Sequence, residues 1–188
     1  MSVSPLTFSW ANDSKLLLPD EYLKAQFTLF SSILSSKQST ENKRLRINKI
    51  LESEFNYELI AKLTVGRQFW NQASLADQRQ FVDVFRQYLL DKYLNNMIAY
   101  SNAQLDFGYP VIDRSKAVVQ VTATLNDEIM DLEFKLYRQS SNWIIYDVEI
   151  EGVSIVRSFR AQFRSVLDKK GLPGVTAAIT KRLKSTVK

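Results

Sequence analysis

Cysteine and histidine are both absent from this chain of 188 residues. Disulfide frameworks, zinc sites, Cys-His and Ser-His-Asp nucleophile systems, haem and redox thiols are excluded with them. Glycine is scarce: the five residues, at positions 66, 108, 152, 171 and 174, never fall into a GxGxxG or Walker spacing. No phosphate-cradling loop is written here, and nucleotide enzymes are disfavoured. The chain also lacks a run of roughly 18 apolar residues, the length a membrane-crossing helix requires. Met1 to Asn12 are uncharged, but no basic stretch leads into an apolar one, so no intact signal peptide stands there. A cytoplasmic protein and an exported one whose signal has been removed both fit.

What is present suits one globular domain with a sizeable core: 45% hydrophobic and 24% charged side chains. The net charge of +5 is uneven, because Arg157 to Lys188 holds nine basic residues and one acidic, leaving −3 for the rest. A basic end of this kind meets nucleic acid, anionic lipid or an acidic partner, or is simply a solvated helix face. Periodicity predicts helices from Pro19 on Leu23, Phe27, Phe30 and Leu34, from Thr40 to Ser53, from the cap residue Asn56 to Gly66, and from the cap residue Ser74 through an aromatic stripe ending near Met97. After Asn102 the period changes to 2. Three strands follow as an antiparallel meander, with apolar faces on Val119, Val121, Ala123 and Leu125, on Met130, Leu132, Phe134 and Leu136, and on Ile144, Tyr146, Val148 and Ile150. A weaker edge strand is expected over Leu105 to Val111, then helices over 154–170 and 174–184. The fold class is α+β, helices packed on the apolar face of an antiparallel meander sheet.

Asp147, Glu149 and Glu151 share one strand face and are the candidate metal or acid/base carboxylates, but that spacing is also the wet face of an antiparallel strand. No catalytic residue, metal or cofactor is expected. Nucleic acid is disfavoured, because Phe159 and Phe163 lie on the side of their helix opposite Arg157, Arg160 and Arg164. The surplus of apolar and aromatic surface fits a filled core or one parted around a ligand, and spacing alone favours the filled core.

The segment 143–163, Trp-Ile-Ile-Tyr-Asp-Val-Glu-Ile-Glu-Gly-Val-Ser-Ile-Val-Arg-Ser-Phe-Arg-Ala-Gln-Phe, closely resembles the MlaC, or toluene-tolerance auxiliary, family. Gly66 with Trp70, Gln78 to Phe81 with Phe85, and Tyr137-Arg138 fall in the order that family has, so the resemblance spans about residues 20–184. It implies a periplasmic carrier of phospholipid between outer membrane and an inner-membrane ABC transporter, with a partly NTF2-like fold enclosing an apolar pocket. The family's export signal has no counterpart here. The partners implied are a phospholipid ligand, the transporter complex, an outer-membrane lipoprotein complex and a transient membrane-surface contact. Residues 1–19 are read as an N-terminal extension to a lipid-binding domain at 20–188. Candidate lining residues are Phe69, Trp70, Phe81, Phe85, Leu89 and Tyr93 on the helical side. Facing them are Val119, Val121, Leu132, Phe134, Leu136, Ile144, Tyr146 and Val148, with Phe159 and Phe163 closing one end. The alternatives are an NTF2-like interaction module with a filled core and a hopanoid-related carrier.

Overall fold

The computed structural model describes residues 17–140 and 142–186. Most of the N-terminal extension thus lies outside the described residues. Four helices precede the long one, each with an identifiable start. Pro19 supplies the fixed φ of a first helical residue in α1 (Pro19–Ser35), and the Glu21 carboxylate accepts from the Leu18 N–H at 3.2 Å. Ser39 caps α2 (Thr40–Glu54) and Asn56 caps α3 (Tyr57–Val65), each accepting from the N–H three residues on. Gly66, at φ 83°, ends α3 and starts the short α4 (Arg67–Gln72), a helix that periodicity did not reveal because only Trp70 in it is buried. Ser74 caps α5 (Leu75–Ala99), which passes through a 3₁₀ turn at Tyr100–Asn102 into the sheet.

The sheet runs β1-β3-β4-β5-β6 in space, with β2 also on β3. Its strands are β1 (Gln104–Phe107), β2 (Val111–Asp113), β3 (Lys116–Leu125), β4 (Glu128–Gln139), β5 (Asn142–Ile150) and β6 (Val153–Ser154). The two-residue turns Asn126–Asp127 and Glu151–Gly152 have positive φ throughout, the hand that matches strand twist. The expected edge strand is two pieces: β1 and β2 both pair with β3, separated by an excursion at Gly108 to Pro110 that leaves Tyr109 97% exposed.

One strand departs from the expected alternation. Lys135 pairs with Asp147 but Leu136 pairs with Ile145, so Tyr146 is an extra residue that shifts the parity of β5. Beyond it Val148 faces the core as expected. Before it Trp143 and Ile145 are buried instead, while Ile144 and Tyr146 take the other face, Tyr146 with its ring 6.2 Å from that of Tyr137. The placement of Ile144 and Tyr146 on the apolar face is therefore corrected.

The last helix, α6 (Ile155–Thr186), breaks at Gly171 (φ 61°, ψ −165°), just ahead of Pro173, so the two predicted helices meet at a kink. Ser154 caps it through the Arg157 N–H, and Asp147 accepts from both the Ser154 hydroxyl (2.6 Å) and the Val156 N–H (3.2 Å). Strand β5 and the start of α6 are thereby tied by one buried carboxyl group.

Candidate functional site

The hydrophobic interior is divided. Between α3, α5 and α6 it is filled: the Phe81 and Phe85 rings stack at 5.3 Å, and Phe159 meets Phe85 edge-on at 5.2 Å and stacks on Phe163 at 5.5 Å. Between the sheet and α1, α2 and the second half of α5 it is parted around a cavity of about 250 Å³. Its helical walls carry Leu23, Phe27 and Phe30 of α1, Ile50 and Leu51 of α2, and Leu89, Tyr93, Leu94 and Met97 of α5. The sheet contributes Leu105, Ala123, Leu132, Phe134, Ile145, Val148 and Ile150. One end is closed by buried Leu23, Leu51, Ile60 and Ile145; at the other, lining residues Asn96, Met97, Tyr100 and Met130 are exposed or half-exposed. The void exceeds the ~150 Å³ apolar cavity that accepts a benzene-sized molecule.

Polar groups on this wall are few. At the closed end the buried Glu54 carboxyl accepts from the Tyr22 hydroxyl at 2.6 Å and from that of Ser53 at 3.1 Å. Burial raises the Glu54 pKa against the opposing effect of those two hydrogen bonds, and burial next to Glu54 pushes the Tyr22 phenol upward too. Phe55 and Tyr57, rings stacked at 6.0 Å, separate this end from a polar surface cleft at Glu52, Arg86 and Asn142.

Of the sixteen candidate lining residues, Leu89, Tyr93, Leu132, Phe134 and Val148 stand on the cavity wall. Phe69, Trp70, Phe81, Phe85, Phe159 and Phe163 belong to the filled aromatic half, and Val119, Val121 and Leu136 to the packed contact between sheet and α1. Ile144 opens on the polar cleft, and Tyr146 lies outside. Sequence reasoning missed the α1 and α2 contribution. The stripe Leu23, Phe27, Phe30 was legible as apolar periodicity, but periodicity does not show which apolar residues pack on the sheet and which also face a void.

The three strand carboxylates are all engaged within the protein, and Asp147 and Glu149 share Lys135. Asp147 serves the α6 cap, Glu149 pairs with Lys135 and Arg157, and Glu151 accepts from the Asp131 N–H. Among the described residues no group of carboxylates is arranged to hold a metal ion.

The sequence model of the family described as MlaC protein matches residues 25–181. This chain belongs to the MlaC family. A relative, toluene tolerance protein ttg2D of Pseudomonas putida, is 22% identical over 128 residues, 66% of this chain and 59% of that protein's length. The chain thus spans about three fifths of this curated relative. Its fold is that of a phospholipid-binding protein from Ralstonia solanacearum solved with a phospholipid. The TM-score is 0.78 at 20% identity, over 90% of this chain and 98% of the other. The α+β architecture expected of an MlaC protein is the one observed, with helices on the apolar face of an antiparallel sheet and an apolar pocket between them.

Proposed function

We propose that this chain is a non-enzymatic lipid carrier whose cavity between sheet, α1, α2 and α5 takes phospholipid acyl chains. The observation that carries the reading is the cavity itself, parted and apolar where a stable core would be filled. Each acyl methylene moved out of water is worth about 0.8 kcal/mol, so an enclosed wall of this kind is what makes a chain transportable. Membership in the MlaC family supports the same reading. The compartment is the periplasm, and the route runs between an outer-membrane lipoprotein complex and an inner-membrane ABC transporter, with residues 20–188 as the lipid-binding domain. Organic extraction of the purified protein followed by mass spectrometry is expected to yield a diacyl lipid. An extract no richer in lipid than that of a control protein from the same cells would sink the carrier reading.

A further inference from the structure

Glu54 stands out on an apolar wall: it is 7% exposed, on the cavity, and, unlike Asp147 on the same wall, has no cation partner among the described residues. Resting on the carrier reading above, we propose that Glu54, Tyr22 and Gln26 form a polar subsite at the closed end of the cavity that selects lipids bearing a hydroxyl group on their buried hydrocarbon. An apolar side chain at position 54 would line the same wall without the desolvation cost that a buried carboxyl carries. The two hydroxyls that reach Glu54, from Tyr22 and Ser53, use two of the roughly four acceptor positions a carboxylate offers. Gln26 stands one helical turn beyond Tyr22 on the cavity face of α1, and its amide has no hydrogen-bond partner among the described residues.

A hydroxyl is the group that fits this set in either protonation state. It donates to an ionised carboxylate and accepts from a neutral acid. A bare methylene chain matches neither. The Tyr22–Glu54 bond stands nine residues along α1 from the Ser31 hydroxyl that donates to the Ser101 carbonyl beside half-exposed Tyr100, about 14 Å of helix, so the hydroxyl taken there sits on the chain and not on the headgroup.

The test measures dissociation constants of the delipidated full chain for octadecanoic acid and for counterparts hydroxylated near the carboxyl, in mid-chain or at the terminal carbon. At least one hydroxy acid is expected to bind the wild type as tightly as the plain acid. In Glu54→Leu and in Tyr22→Phe the ratio of hydroxy-acid to plain-acid affinity should turn against that hydroxy acid by about tenfold relative to wild type, and Glu54→Gln should keep part of the preference. Tyr22→Phe, which deletes one oxygen and keeps the ring, carries the comparison alone if Glu54→Leu does not fold. A ratio unmoved by either substitution would overturn the subsite and reduce the pair to a clamp between α1 and α2. Failure of every acid, plain or hydroxylated, to bind the wild type would instead overturn the carrier reading and the subsite with it.

Discussion

Glu54 and Glu149 are two carboxyl groups whose environments push them in opposite directions, and stability should follow each differently with pH. Burial raises the Glu54 pKa, so the folded protein keeps that proton at pH values where the unfolded chain has lost it. Stability from this group is complete below the ordinary carboxyl range and falls as pH rises through the raised folded value. Hydrogen bonding from Lys135, with Arg157 adding to it, lowers the Glu149 pKa against a smaller burial effect. That contribution is present above the ordinary range and is lost on acidification. Urea unfolding across a pH series should therefore give a shallower decline just above the ordinary carboxyl range for Glu54→Gln than for wild type, and a smaller acid loss for Glu149→Gln. Two valines separate wall from core in the same manner. Val148→Trp fills the cavity and should lower the lipid recovered on extraction, whereas Val121→Trp, in the packed part, should cost about 1–3 kcal/mol of stability by overpacking. Equal lipid loss in two equally stable variants would contradict that division.

Among the elements, β5 is where reading by alternation stopped working. Period-2 patterning placed β3 and β4 with the correct faces inward, because both strands run without interruption over ten and twelve residues. In β5 the residues Trp-Ile-Ile-Tyr are all apolar or aromatic, so neither parity is preferred by pattern, and the extra residue at Tyr146 is invisible until the partner strand is known. The helix starts were legible for a local reason: Ser39, Asn56, Ser74 and Ser154 each bond an N–H three residues on, an interaction written within four residues of sequence. The cavity was not, because which part of α1 packs on the sheet and which part faces a void is decided by residues about eighty or more positions away. Asp147 joins a local cap to that long-range arrangement. Asp147→Ala strands the Val156 N–H and the Ser154 hydroxyl in a buried site and is expected to cost about 1–3 kcal/mol, read as a lowered denaturation midpoint. An unchanged midpoint would mean that α6 starts independently of β5.

For the molecule as a whole, the charges are sorted by surface. The outer face of the sheet carries Asp131, Glu133, Glu149 and Glu151 around Lys135, while exposed Lys169, Lys170, Lys181 and Lys184 crowd the two arms of α6 about the Gly171 kink. Arg157 and Arg182 are already engaged, with Glu149 and the Tyr88 hydroxyl, so docking to an acidic surface would fall to the lysines. Reversing Lys169, Lys170 and Lys181 to Glu is expected to slow lipid transfer to anionic vesicles and to remove its salt dependence, leaving co-purified lipid unchanged. Loss of lipid from a folded triple variant would show that surface and cavity are not separate. The broken margin of the sheet acts on a different kind of encounter. Its outer rows, four and three residues long in β1 and β2, are separated by a segment whose Pro110 has no N–H to offer, while on the opposite margin β6 covers only the end of β5 and Phe55 bridges it at Ile145. When two copies collide along the β1–β2 margin, neither finds a row of free peptide groups long enough to extend the ladder. Crowding alone is therefore not expected to join copies of this chain into fibres through that margin.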